Sequence, residues 1–320
     1  MNLHVSPQQA AAELLRRRRA RESLAGFVNA VEIPGKPVSD DPDAWLYPIE
    51  TSVAAHHLLL CDKLEAISST PHGRLMVFMP TGSAKSTYAS VVFPTWFMGK
   101  RPGARHILTS YGSDLARRHG RRARQIVRSR AYQSLFGTAL SADSSAADEW
   151  ALTNGSEYMA GGILSGITGN RAHGLLIDDP VKGREDADSP VIRRKTLDAY
   201  EDDLKTRLIP GGWIALIQTR WHEDDLAGSI LPRGWKGESG SIECRNGNVW
   251  KCCVCQRSAI SRTIRSGANL GNSSGPSGST GAVGRNSGAT RAPGRRFISS
   301  TRRPTPAPTF RPIGSGPSSL

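Results

Sequence analysis

The sequence predicts an α/β fold, a mostly parallel β-sheet covered by helices on both faces, with a disordered C-terminal tail. Two observations carry the sheet. From Arg74 onward, short apolar runs of strand length alternate with stretches long enough for crossover helices, the connections that parallel strands need. The runs at 75–79 (LMVFM), 174–178 (GLLID) and 213–218 (WIALIQ) are also almost continuously apolar, as strands buried on both faces are. A third observation, the loss of acids and nearly all aromatics beyond Trp250, marks the tail.

In chain order, residues 7–31 (PQQAAAELLRRRRARESLAGFVNAV) predict an amphipathic helix. Pro7 stands at its start, and Leu14, Leu15, Leu24, Phe27, Val28 and Val31 are available for one face. Its RRRRAR run reads as a solvated helix face. A Pro/Asp-rich linker over 34–48 follows, then a helix over 52–68 carrying His56 and His57. Adjacent histidines cannot share one helix face, so the pair is not read as a metal site. The alternating region then gives strand 75–79, helix 85–98, strand 106–110 and helix 113–130. A polar Asp/Ser-rich stretch at 141–149 precedes strand 157–163, strand 174–178, helix 189–207, strand 213–218 and helix 223–231. In open sheets of this kind ligands bind at the C-terminal ends of the strands, which is where chemistry belongs.

The chain has 320 residues, 42 Lys+Arg against 28 Asp+Glu, and a formal charge of +14. Its length allows a sizeable core. No apolar run approaches the roughly 20 residues that cross a bilayer, and no cleavable apolar core follows the N-terminal arginines. Five cysteines in a chain this long predict a reducing compartment rather than a disulfide scaffold. The charge suggests nucleic acid, but 251–320 holds 11 Lys+Arg and no Asp or Glu, which leaves 31 against 28 in 1–250. That segment also holds 13 Ser, 10 Gly and 7 Pro, with Phe297 and Phe310 its two aromatics. It cannot bury enough apolar surface to offset its ordering entropy.

The first constellation at a strand end is Met79-Pro80-Thr81-Gly82-Ser83-Ala84-Lys85-Ser86-Thr87. A phosphate loop needs backbone N–H groups converging at a helix N-terminus, a lysine for the β/γ-phosphates and a hydroxyl for Mg2+. Lys85 and Ser86 supply the last two. The usual spacing puts glycines at Met79 and Ala84; both are missing, and Gly82 is the loop's one glycine. An ordinary strand-to-helix turn is the alternative. The second constellation is Gly174-Leu175-Leu176-Ile177-Asp178-Asp179-Pro180, an apolar strand ending in two acids. Asp178 suits a Mg2+ held through water, and Asp179 suits polarising the attacking water; a capped turn is the bland reading. The third, LIQTRWHEDDL at 216–226, ends a strand in Gln218, Thr219 and Arg220, side chains able to touch a γ-phosphate and report its loss. Arg220 and Arg171 are candidates for neutralising transition-state charge, with surface or salt-bridge roles as the alternatives. His222, Glu223, Asp224 and Asp225 read as the acidic start of a helix rather than a metal cluster.

Together MPTGSAKST, GITGNRAHGLLIDDP and ALIQTRWHEDDLAG resemble the ATPase domain of phage terminase large subunits, the motors that package DNA into procapsids. The resemblance spans roughly 56–250. It implies a RecA-like P-loop ATPase domain of the additional-strand, conserved-glutamate type over 51–250, after an N-terminal helix and linker over 1–50. It implies ATP and Mg2+ as cofactors, with Thr81, Gly82, Ser83, Ala84, Lys85, Ser86 and Thr87 around the phosphates. Asp178 matches the Walker B metal residue, and Asp179 falls where the family commonly has a catalytic Glu. Gln218, Thr219 and Arg220 match the motif that couples hydrolysis to movement. Double-stranded DNA, a portal protein, a small terminase subunit and a homo-oligomeric ring are the implied partners. The implied place is the cytoplasm of a bacterial host, transiently at the procapsid portal.

The family also implies an RNase H-like nuclease domain after Trp250, and here the sequence departs from it. No acid follows Glu243, so two-metal cleavage has nothing to hold its ions, and nuclease activity is predicted absent. The expectation is an out-of-frame tail over 251–320 in place of that domain; an Arg/Ser-rich disordered tail that binds DNA is the competing reading. Cys252, Cys253 and Cys255, with Cys244 upstream, are too irregularly spaced for a zinc site and read as free thiols in that tail. Two further readings of the whole chain stand beside the motor. One is a helicase-like DNA-translocating ATPase, which would need a second RecA-like domain. The other is an inactive ATP-binding prophage remnant.

Overall fold

In the computed structural model, which describes residues 6–39, 41, 44–49, 53–167 and 169–255, Ser6 opens the first helix, α1 (Pro7–Glu22). Ser6 and Gln9 cap it reciprocally, and Pro7 fills the first turn, where its missing N–H costs nothing. The single helix predicted over 7–31 is two. Ser23 turns extended (φ −130°, ψ 145°), and its hydroxyl accepts the Gly26 N–H to start α2 (Leu24–Val28). A serine side chain that competes for backbone groups favours such a break. Consequently the predicted apolar face divides: Leu24, Phe27 and Val28 are buried, whereas Leu14 and Leu15 are 67% and 54% exposed. The linker predicted over 34–48 contains an antiparallel pair, β1 (Pro34–Pro37) and β2 (Leu46–Pro48). α3 (Ala55–Ser68) follows.

One nine-stranded sheet organises the rest: β3 (Arg74–Phe78), β4 (Arg105–Ser110), β5 (Leu140–Ser145), β6 (Glu149–Leu152), β7 (Glu157–Gly162), β8 (Ala172–Asp178), β9 (Leu208–Gln218), β10 (Gly240–Glu243) and β11 (Val249–Val254). Its order is β10-β11-β3-β9-β8-β4-β7-β6-β5. The six strands from β11 to β7 are parallel; β10 at one end and β6 at the other run against them, and β5 pairs antiparallel with β6. This is the mostly parallel sheet that the alternating pattern predicts. β9 lies between β3 and β8. The polar stretch at 141–149, given no strand from sequence, falls largely in β5 and the start of β6, whose outer-edge position does not demand apolar side chains on both faces.

Burial alternates along the central strands. Leu75, Val77, Leu108, Leu176, Ala215 and Ile217 belong to one core; Met76, Phe78, Ile107, Leu175, Ile177, Ile214 and Leu216 belong to another on the opposite face. The first is closed by α1, α2, α3, α4 (Phe93–Lys100), α5 (Ser113–Arg128) and α6 (Arg130–Phe136). The helical stretch after β8 and the helix after β9 contribute to the second. The helix predicted over 189–207 starts as α8 (Pro190–Asp198), after a short α7 (Arg184–Asp188). It continues as a π-turn over Ala199–Leu204 and ends 3-10 at Lys205–Arg207. α9 (Leu226–Ile230) is the shortened form of the helix predicted over 223–231. On the first face Trp150, Tyr158, His106 and Trp213 form a ladder across β6, β7, β4 and β9. Gly174 on β8 opens the gap for it, since a Cβ there would lie 2.0 Å from the Trp213 ring.

The expected tail does not begin at Lys251. Residues 251–254 pair in parallel with β3, and Trp250, Cys252 and Cys253 are buried. The charge boundary and the packing boundary differ because VWKCCV still offers a strand four apolar side chains and an aromatic anchor. The thiols divide as well: Cys244 and Cys252 pack into one core, whereas Cys253 and Cys255 face the other. Alternation along the strand therefore keeps the four from converging on one metal. The chain divides into two units, Met1–Asn272 and Ser273–Leu320. The described residues all lie in the first, and the rest of the predicted tail, 256–320, lies outside them. Among the described residues no helix is long and apolar enough to cross a membrane.

Candidate nucleotide-binding site

β3 delivers the loop at 79–86 to the C-terminal edge of the sheet. Gly82 (φ +78°) and Ala84 (φ +58°) both take left-handed backbone conformations. Ala84 stands where the usual spacing has glycine, and it holds the glycine-like conformation at a cost of about 1–2 kcal/mol. Its carbonyl accepts the N–H groups of Thr87 and Tyr88, which starts the helix. That helix begins as a π-turn over Thr87–Val92, in which the Phe93 N–H reaches back to the Tyr88 carbonyl. Pro94 accounts for the wide turn, because it has no N–H to donate and its ring crowds the preceding carbonyls. Behind the loop, His57 on α3 stacks on Tyr88 at 4.2 Å and has its Nε2 3.1 Å from the Ser83 carbonyl. Burial pushes His57 down to about 4, so its ring is neutral. Nδ1 accepts the Ala54 N–H, which assigns the remaining proton to Nε2 as donor to Ser83.

β8, two strands away, brings its last residue to the same edge. Asp178 is fully buried; its Oδ1 accepts from Ser86 Oγ at 3.1 Å and its Oδ2 from Ser90 Oγ at 2.6 Å. Burial raises its pKa, and the serine hydroxyls and Lys85 oppose that rise. His119 on α5 lies behind it, with Nε2 3.5 Å from Oδ2. Asp179 turns left-handed (φ +44°), a conformation that aspartate tolerates better than most residues. Its Oδ2 meets Lys85 Nζ at 2.6 Å and its Oδ1 accepts the Thr219 N–H at 2.9 Å. Burial and the neighbouring Asp178 raise the Asp179 pKa, against the pull of Lys85. The Lys85 side chain is itself almost fully buried and ion-paired to Asp179, so an incoming phosphate would compete with Asp179 for it.

β9, between these strands, contributes Thr219, whose hydroxyl donates to the Met79 carbonyl at 3.2 Å while its N–H serves Asp179. One residue thus ties the loop at 79–86 to the second acid. Gln218 is buried, and both amide atoms are without hydrogen-bond partners among the described residues. Arg220 is engaged elsewhere: its Nε bonds Asp225 at 2.7 Å, and its guanidinium lies over the rings of Phe78 and Trp235. Asp225 in turn caps α9 through the Gly228 N–H. Arg171 is not brought to the cluster. It precedes β8, seven residues from Asp178, about 20 Å away at ~3.3 Å per residue, and bonds the Thr206 carbonyl from an exposed position.

Thr81, Gly82 and Ala84 are exposed on the loop, Ser83 and Lys85 are buried, and Ser86 and Thr87 lie between. Sequence reasoning missed four neighbours. Ser90 was legible, because a hydroxyl four residues beyond Ser86 shares its helix face. His57, His119 and Arg122, whose Nη2 reaches Thr87 Oγ1 at 3.3 Å, carry no local signal, since α3 and α5 reach the loop only in the folded chain.

The donor set fits a nucleotide with Mg2+. Ser86 and Asp178 offer paired oxygen ligands of the kind a hard cation prefers. The loop presents an ammonium and a helix start to phosphate oxygens. No protein-family model matches the chain, and no curated protein does. Three similar solved structures are phage large terminases. That of bacteriophage HK97 is 13% identical, with a TM-score of 0.40 over 66% of this chain and 40% of its own. The ATPase domain of Thermus phage P74-26 is 16% identical over 68% of this chain and 90% of its own, with a TM-score of 0.37. A variant of that domain is 17% identical over 68% and 86%, with a TM-score of 0.41. The chain thus spans less than half of the HK97 protein.

Proposed function

We propose that this chain is an ATP-hydrolysing motor subunit of a phage DNA-packaging terminase. The convergence of Lys85, Ser86, Asp178, Asp179 and Thr219 at the ends of three adjacent strands carries the reading. The triphosphate binds with its β/γ-phosphates at Lys85 and the loop N–H groups of Thr81–Thr87. Mg2+ held by Ser86 and, through water, by Asp178 would neutralise phosphate charge. Phosphate at Lys85 draws the ammonium away from Asp179, whose carboxylate is then free to orient and polarise the attacking water. Asp179 is one methylene shorter than a glutamate, and its left-handed backbone, fixed through Thr219, sets its reach. Thr219, joined to both Met79 and Asp179, passes the occupancy of the loop to β9, with Gln218 beside it.

Arg220, tied to Asp225 and α9, reports the state of the β9 end rather than meeting phosphate in this arrangement. Arg171, exposed and far from Lys85 in its own subunit, is assigned to the nucleotide of a neighbouring subunit in a ring. Double-stranded DNA, a portal protein and a small terminase subunit are the partners this reading assigns, in a bacterial cytoplasm and at the procapsid portal. The test is ATP hydrolysis by the full chain with and without duplex DNA, compared with Lys85→Ala. A loss of about 100-fold or more is expected on removing the phosphate-binding ammonium. Equal rates would favour the inactive prophage remnant.

A further inference from the structure

Asp178 has a neighbour that the nucleotide site as described does not use. The His119 imidazole is buried on α5, and neither ring nitrogen has a hydrogen-bond partner among the described residues. Buried polar side chains are nearly always satisfied, so an orphaned imidazole needs an explanation. Its Nε2 is 3.5 Å from Asp178 Oδ2, a gap of a few tenths of an ångström beyond a hydrogen bond. The carboxylate has acceptor capacity to spare, because Ser86 and Ser90 occupy two of about four lone-pair positions. α5 is also held close at a second point, since Arg122, one turn on from His119, reaches Thr87 Oγ1.

Resting on the nucleotide-site reading, we propose that His119 is a positioning residue for the cation carboxylate: in the Mg2+-nucleotide state its Nε2–H donates to Asp178 Oδ2. Together with Ser90 it then fixes that oxygen, and Oδ1 is left turned toward Ser86 and the cation's water shell. A carboxylate held by partners behind it ligates better than one free to rotate. His119 touches neither nucleotide nor metal, and it acts through Asp178. The unpartnered Nε2 is that of a donor whose acceptor is completed on loading.

Binding of a fluorescent ATP analogue to the full chain, titrated in Mg2+ and separately in EDTA, tests this with His119→Leu and His119→Gln. Leucine keeps the volume and removes the donor, and glutamine restores an N–H. In His119→Leu the EDTA affinity should stay within about two-fold, while the gain from Mg2+ should fall by about 10- to 100-fold, the usual cost of losing a second-layer partner. Its thermal midpoint should be unchanged or higher, since an unsatisfied polar group has gone, and His119→Gln should recover most of the Mg2+ gain. Equal losses in Mg2+ and EDTA, or an intact Mg2+ gain in His119→Leu, would overturn the proposal. Wild-type protein that binds the analogue no better than Lys85→Ala would overturn the nucleotide-site reading and this inference with it.

Discussion

His106 sits in the aromatic ladder with ring centroids of Tyr158, Trp213, Phe97 and Phe93 at 5.8, 5.7, 6.3 and 6.5 Å. Burial pushes it down to about 3, whereas an unfolded histidine titrates near 6.5. Between those values the unfolded chain binds a proton that the folded chain excludes. Stability therefore falls as pH falls, by about 1.4 kcal/mol per pH unit for this one group. His106→Leu should flatten the decline by that amount, read from urea midpoints at a series of pH values below about 6.5. Parallel slopes in variant and wild type would show that the imidazole is not excluding the proton. The raised Asp178 and Asp179 carboxyls act in the opposite direction and cancel in this comparison, because both proteins carry them.

At the scale of elements, the phosphate loop is held from outside as much as by its own residues. A loop with one glycine and a left-handed alanine is less able to set its own shape than a glycine-rich one. α3 supplies what the loop lacks: His57 clamps the Ser83 carbonyl and stacks on Tyr88. His57→Ala removes both contacts and takes one hydrogen-bond donor from the Ser83 carbonyl, a cost of about 0.5–1.5 kcal/mol. The expected result is a lower thermal midpoint together with roughly ten-fold weaker nucleotide binding, at 1.4 kcal/mol per decade. A variant that loses stability but keeps full nucleotide affinity would show that α3 supports the core and not the loop. The π-turn after the loop belongs to the same scale. Pro94 forces it, and Ser90 within it reaches Asp178, so a backbone irregularity two turns away helps to set the acid's environment.

At the scale of the whole molecule, β11 is the last strand of the described sheet. It covers β3, the strand that delivers the phosphate loop, and its Trp250 is completely buried. A chain ended after Asn248 loses that tryptophan, itself worth about 3–5 kcal/mol, and exposes the β3 edge to pairing with other chains. Against a total stability of about 5–15 kcal/mol, such a protein is expected to aggregate. A chain ended after Cys255 should unfold cooperatively near the wild-type midpoint, and circular dichroism melts with gel filtration distinguish the two. Similar behaviour of the two truncations would mean that β11 adds little to the sheet.

The parallel sheet, its strands and the pairing of a Lys-Ser loop with two strand-end aspartates were legible because they are written in local periodicity and in short contiguous motifs. Apolar runs buried on both faces leave a signal in the sequence alone, and so does a lysine followed by a hydroxyl between strand and helix. Tertiary structure decided the rest. Ser23 broke the first helix, the 34–48 stretch paired with itself as a two-stranded sheet, and the polar 141–149 stretch paired at the edge of the main sheet, where polarity does not forbid strands. Lys251 to Val254 joined the body although their charge pattern belongs with the tail. Above all, only folding showed that Arg171 stands at the far end of the strand from Asp178, and that His57, His119 and Arg122 close on the site. A strand's two ends are close in sequence yet about 20 Å apart in space, whereas His57 on α3 and His119 and Arg122 on α5 reach the loop and Asp178 with nothing in their local sequence to announce it.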